Sequence, residues 1–172
     1  MAGIFPEYYA SCITEIKESF LQQLHIKAIW LDIDNTISLV DDPLPTPDAE
    51  AWIRQMQASG YILGVVSNND PPRVEPFARS LGLYFRAHAQ KPSPDGYRSL
   101  AQEVGAAPEE CLVVGDQLFT DILGGNHAGM HTVAVPPLRP DMEPKDFRFR
   151  RRVERILLRL SRGFHTNRSL TK

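Results

Sequence analysis

The sequence predicts an α/β domain: a parallel β-sheet with helices on both faces. Two observations carry this. Short apolar runs, KAIWLDI, YILGVV and CLVVG, recur along the chain, and runs of this length and composition suit strands buried on both faces. Between them stand helical patterns opened by the same device, a capping residue followed by proline. Strands alternating with helices bring parallel pairing and right-handed crossovers.

Taken in order, Tyr9, Ile13, Ile16, Phe20 and Leu24 fall at helical spacing, which predicts one amphipathic helix over residues 1–25. The core is expected over residues 26–136. Its first strand leads to Thr46-Pro47-Asp48, its second to Asp70-Pro71-Pro72, and a third helix start stands at Ser93-Pro94-Asp95. Each is an N-cap with proline in the first turn. CLVVG supplies a later strand and HTVAV, from His131, the last. Residues 137–172 read as a proline-rich linker and a basic C-terminal helix, with Phe149, Val153, Ile156, Leu157, Leu160 and Phe164 as its apolar stripe.

The chain has 172 residues and two cysteines, Cys12 and Cys111, in no C-x-x-C pair. That excludes a disulfide framework and a cysteine-based zinc site, and points to a reducing, cytoplasmic setting. No apolar run reaches the roughly 18 residues of a membrane span, and the N-terminus lacks the basic start and long apolar core of a secretory signal. Charge is unevenly spread. Residues 1–144 hold 9 Lys and Arg against 19 Asp and Glu, whereas residues 145–172 hold 10 against 2. A basic tail on an acidic domain suggests an anionic partner.

In such a sheet, ligands sit beyond the carboxyl ends of the strands. The residues leaving those ends are Asp32, Asp34 and Thr36 from the first strand, Ser67 and Asn68 from the second, and Asp116 and Asp121 after CLVVG, with Lys91 ahead of the third helix. Four clustered carboxylates repel one another near neutral pH. A divalent cation relieves this, and an all-oxygen site suits Mg²⁺, which also grips phosphate oxygens. In the extended D-x-D segment Asp32 and Asp34 point the same way. One can attack phosphorus while the other handles the leaving group's proton. Ser67 and the Asn68 N–H can bind the remaining phosphate oxygens, and Lys91 supplies positive charge.

These segments, DIDNT, VSNN, the lysine of QKPSP and GDQLFTD, resemble the four ordered motifs of haloacid dehalogenase-type phosphatases, and GDQLFTD resembles the subclass IIIA variant. With SNND-P-x-RV, KPSPDGYR and GDQLFTDILGGNHAGM, the resemblance to the YqeG family runs nearly end to end. That family is related to phosphatidylglycerophosphate phosphatases. The resemblance implies a Rossmann-like sheet of order 5-4-1-2-3. It makes Asp32 nucleophile and magnesium ligand, Asp34 general acid/base with its carbonyl on the metal, and Asp116 the third ligand. Asp121 would support Lys91 or a metal-bound water, and Thr36 and Ser67 would fix the loop and the phosphate.

A full lid domain does not fit. Thirty residues separate Thr36 from Ser67 and 23 separate Ser67 from Lys91, when a bare βαβ unit takes roughly 30. An open site favours a large substrate or one presented on a surface. The expected function is a Mg²⁺-dependent phosphomonoesterase, with phosphatidylglycerophosphate at the inner membrane face as one substrate and a soluble phosphate or nucleotide as the alternative. The rival from another class is a binding module whose basic helix engages RNA or a partner protein; the chain has no RNA-binding motif. For Arg148, Arg150, Arg151, Arg152, Arg155, Arg159 and Arg162 two readings stand. Either they are solvated while the apolar stripe packs on the domain, or they meet an anionic surface. Asn126, His127 and His131 read as structural, and Gly124 and Gly125 as a close helix-packing site.

Overall fold

A computed structural model of the chain describes residues 3–140, 152–154 and 156–157. Six strands form one sheet, all parallel: β1 (Tyr8–Tyr9), β2 (Ala28–Leu31), β3 (Ile62–Val66), β4 (Tyr84–Arg86), β5 (Cys111–Gly115) and β6 (His131–Ala134), in spatial order β1-β6-β5-β2-β3-β4. The helices are α1 (Glu18–Gln23), α2 (Pro47–Ala58), α3 (Pro71–Leu81), α4 (Asp95–Val104) and α5 (Leu123–Ala128).

Alternation along each strand divides the core in two. Ile29, Leu31, Leu63, Val65, Leu112 and Val114 face α2 and α3 and pack on Trp52, Ile53, Val74 and Phe77. Ala28, Trp30, Val66 and Val113 face the other way, onto Tyr97 and Leu100 of α4 and Ala128 of α5. Both faces are covered, so the strands read as unbroken apolar runs. Of the three capping devices, Thr46 accepts the Ala49 N–H at 3.3 Å, Asp70 stands at the N-cap of α3 without a side-chain cap bond, and α4 has Pro94 rather than Ser93 at that position.

The five central strands have the order expected, and β1 is added outside β6, paired Tyr8 to Val133 and Tyr9 to Ala134. The N-terminal segment therefore corrects the expectation of one amphipathic helix. It runs as β1, a 3₁₀ turn over Ile13–Glu15 and the six-residue α1. Its apolar spacing serves burial of another kind. Tyr9 covers the edge of β6, and Ile13 and Ile16 join the α2 side of the core, where the Ile16 carbonyl accepts the Trp52 indole N–H at 2.9 Å. Tertiary pairing overrides a weak local helical preference. No buried apolar run marks β4 in the sequence, since Tyr84 is exposed and Phe85 and Arg86 are half-buried.

Neither motif gap holds a lid. Residues 37–46 close a tight loop in which the Ser38 hydroxyl donates toward the carbonyls of Asp42 and Leu44 at 3.0 and 2.7 Å. Residues 68–90 are spent on α3 and β4. Among the described residues no helix is long and apolar enough to cross a membrane.

Candidate active site

β2 and β5 are neighbours in register, Leu31 opposite Val114. Their exits therefore place Asp32 and Asp116 side by side at the carboxyl edge. Carboxylate oxygens of Asp32, Asp116 and Asp121 all lie within 4.8 Å of one another, and all three side chains are buried. The Thr36 hydroxyl stands over the gap, 3.3 Å from Asp32 Oδ2 and 3.4 Å from Asp116 Oδ1. These are hard oxygen donors, a set suited to a divalent cation such as Mg²⁺ and not to a soft metal.

Asp121 arrives by an unusual route. The chain after β5 turns through a π-helical segment, Leu118–Ile122, before α5 begins. Such bulges recur at functional sites because they re-aim one side chain. Here Asp121 is turned back over Gly115, where a Cβ would sit 2.5 Å from the Asp121 carboxyl carbon. Only glycine leaves room for it. Asp121 Oδ2 accepts the Gln117 N–H at 3.0 Å, and its Oδ1 takes the Lys91 ammonium at 2.7 Å.

Lys91 is 3% exposed at its side chain and has three acceptors: Asp32 Oδ1 at 2.5 Å, Asp121 Oδ1 at 2.7 Å and the Val66 carbonyl at 2.8 Å. Burial works against its charge, but the two carboxylates prevail and hold the amine well above its ordinary pKa. Asp32 is raised as well, toward its neutral form. Burial raises its carboxyl to about 6, against the pull of Lys91 and with a further push from Asp121.

The second strand contributes less directly. The Ser67 hydroxyl, 3% exposed, accepts the Asn69 N–H at 3.1 Å, a turn contact of the kind common for serine. The Asn68 side chain clamps the lysine's backbone, accepting from Lys91 N at 2.7 Å and donating to Lys91 O at 3.2 Å. The Asp34 side chain bonds to residues outside the buried trio. Its Oδ1 takes the Arg73 guanidinium at 2.9 Å and its Oδ2 accepts from the Asn69 amide. Neither partner was among the candidates read from the sequence. The only trace of them lay in SNND-P-x-RV, where an arginine one turn into α3 falls on the helix side facing the D-x-D segment.

Of the residues read as structural, His127 is exposed, and the others make contacts within the fold. Asn126 donates to the Phe5 carbonyl at 2.9 Å, His131 pairs with Glu7 at 2.7 Å, and Gly124 and Gly125 let α5 lie close against Tyr97 and Val113. A cleft of about 520 Å³ opens beside Asn35, between the loop of residues 39–43 and Arg139. Most of the basic C-terminal segment, including Arg148, Arg150, Arg151, Arg155, Arg159 and Arg162, lies outside the described residues. Within the described part, Glu154 is buried and accepts the Phe119 N–H of the π-turn at 3.3 Å, and Leu157 packs beside Leu118 and Ile122.

A family model of haloacid dehalogenase-like hydrolases matches residues 5–129. The chain is 37% identical over 161 residues to the probable phosphatase YqeG of Bacillus subtilis (strain 168), spanning 93% of each protein. It is 31% identical over 158 residues to phosphatidylglycerophosphate phosphatase 1, chloroplastic, of Chlamydomonas reinhardtii, across 87% of this chain and 59% of the algal one. Among solved structures, the cobalt-bound deoxy-D-mannose-octulosonate 8-phosphate phosphatase (YrbI) of Haemophilus influenzae shares the fold, with a TM-score of 0.54 and 18% identity over 66% of this chain and 71% of that one. The strand-end carboxylates thus stand on a known scaffold, and the chain belongs to the haloacid dehalogenase-like hydrolases as a phosphatase of the YqeG family.

Proposed function

We propose that the chain is a magnesium-dependent phosphomonoesterase that passes the phosphoryl group through Asp32. The observation that carries this reading is the buried carboxylate trio with Lys91 set into it. In the first step an Asp32 oxygen attacks phosphorus, the ester P–O bond breaks, and Asp34 gives its proton to the departing alcohol. In the second, water attacks the aspartyl phosphate while Asp34 takes the water's proton. Inorganic phosphate leaves and the Asp32 carboxylate is restored.

Lys91 stabilises negative charge on the transferring group, and Asp121 keeps that ammonium charged and aimed. Ser67, Thr36 and the Asn68 N–H hold phosphate oxygens. Asp32, Asp116 and the Asp34 carbonyl would hold the Mg²⁺. When bound, the ion offsets the repulsion between a carboxylate nucleophile and an anionic phosphate and polarises the phosphoryl oxygens. Both carboxylate oxygens of Asp121 already have N–H partners, which favours a supporting role over direct ligation.

Three observations favour a lipid phosphate as substrate. The algal and plant relatives are phosphatidylglycerophosphate phosphatases by name, the site has no lid, and residues 145–172 carry the positive charge that binds anionic surfaces. The enzymatic test is phosphate release from an aryl phosphate with and without Mg²⁺, for the native protein and for Asp32→Asn. Activity that survives the substitution would remove Asp32 as nucleophile. The substrate test presents phosphatidylglycerophosphate in anionic vesicles beside soluble phosphomonoesters, and turnover of the soluble compounds alone would reject the lipid.

A further inference from the structure

Asp34 is asked to give up and retrieve a proton at a defined place, yet nothing on its own strand holds its side chain. Both its oxygens are taken by residues that follow β3: Arg73 Nη2 at 2.9 Å from Oδ1, and the Asn69 amide on Oδ2. Both partners are themselves fixed. Asn69 donates its backbone N–H to Ser67 Oγ at 3.1 Å, and its carbonyl accepts His88 N–H at 3.0 Å. The Arg73 guanidinium carbon lies 5.3 Å from the centroid of the Phe77 ring, one turn along α3, and Phe77 is buried.

Among the described residues, none accepts from the buried Arg73 Nε. The guanidinium lies between the Phe77 ring and the Asp34 carboxylate. We infer that Arg73 and Asn69 are positioning residues that aim the Asp34 carboxyl group at the leaving-group oxygen, an inference that rests on the acid/base role proposed for Asp34. They touch neither the buried trio nor Lys91 in the structure, so the attack by Asp32 does not depend on them.

This division sets a distinctive kinetic signature. A leaving group that departs readily as an anion needs no proton, and one that departs poorly does. Loss of aim at Asp34 therefore harms poor leaving groups selectively, whereas a purely structural lesion, or a lost phosphate contact, harms all substrates alike. The experiment measures kcat/KM with Mg²⁺ for 2,4-dinitrophenyl, 4-nitrophenyl and phenyl phosphate, in the native protein, Asp34→Asn, Arg73→Met and Asn69→Ala. Misaiming an acid/base group costs on the order of 30–100-fold. We expect Arg73→Met to lose about that on phenyl phosphate and less than about 3-fold on the dinitrophenyl ester, with Asn69→Ala showing the same trend more weakly.

If Asp34→Asn itself shows no leaving-group dependence, the acid/base reading fails and takes this inference with it. If Asp34→Asn shows the dependence while Arg73→Met and Asn69→Ala lose activity equally on all three esters, or lose none, the positioning role alone is overturned. Should Arg73→Met not fold, Asn69→Ala decides by the same criterion.

Discussion

Lys91→Met isolates the electrostatic arrangement on which the site depends. Methionine keeps the length and bulk of the stem and removes only the ammonium. That ammonium is 3% exposed and sits between carboxylates that are 8% and 1% exposed. Its loss strands two buried anions and the Val66 carbonyl. Removing one partner of a buried pair costs about 3–5 kcal/mol, or a fall in Tm of roughly 6–20 °C for a chain of this size. The cost should depend on pH with a definite sign. Without Lys91, the Asp32 carboxyl, already raised by burial, moves further toward the neutral form in the folded state. For acids whose folded pKa is raised, stability is present at low pH and is lost as pH climbs from the unfolded value near ~3.9 toward the folded one. The gap between Lys91→Met and the native protein should thus be narrower at pH 5 than at pH 8. Adding Asp121→Asn to Lys91→Met removes one stranded charge and should return about 1–2 kcal/mol. Urea denaturation in metal-free buffer at both pH values measures all of this. A cost under about 1 kcal/mol, or a double variant no steadier than the single, would refute the view that Lys91 is held by charge.

Three further outcomes follow from the same geometry. Gly115→Ala drives a methyl into Asp121, so it should cost about 1–3 kcal/mol of stability and lower kcat about tenfold or more with KM little changed, as phosphatase assays and thermal unfolding would show. Mg²⁺ should raise Tm more at pH 7.5 than at pH 5, because Asp32, with its carboxyl raised to about 6 by burial, must give up its proton to bind the ion; an equal shift at both pH values would remove Asp32 from the ligand set. Cys12 is exposed while burial pushes the Cys111 thiol up to about 11, so iodoacetamide at pH 8 should modify one cysteine in the folded protein and two in urea, by intact mass.

How far the site could be read from the sequence depended on what each residue answers to. Asp32, Asp116 and Ser67 end apolar runs, and a strand buried on both faces announces its own end, so their meeting at one edge needed only parallel pairing. Lys91 and Asp121 could be named from their motifs, though their ion pair depends on a π-turn that no local pattern marks. Arg73 and Asn69 were passed over because an arginine in the first turn of an exposed helix looks solvated. Which way it turns is decided by how α3 rolls on Phe77 and Val74. At the N-terminus the spacing of Tyr9, Ile13 and Ile16 was right for burial and misleading for conformation. Two residues of edge strand are too few for alternation to show, and only the unpaired edge of β6 calls for them.

The cation-sized gap between Asp32 and Asp116 is a property of the sheet before it is a property of the loops. Adjacent parallel strands run roughly 4.8 Å apart, and Leu31 at the end of β2 lies level with Val114, one residue before the end of β5. Two carboxylates leaving those ends must stand about one ion's coordination shell apart. The sheet also explains why the compensating lysine comes from elsewhere. No further strand lies between β2 and β5, so positive charge has to be lowered in from the β4–α4 connection, where Asn68 grips the backbone of Lys91 on both sides. The π-turn then supplies the second acid, which holds that amine from beneath. It is braced from outside by Glu154 on the Phe119 N–H and by Leu157 beside Leu118 and Ile122. Among the described residues, the turn that presents Asp121 is thus where Glu154 and Leu157 of the C-terminal segment touch the surroundings of the site.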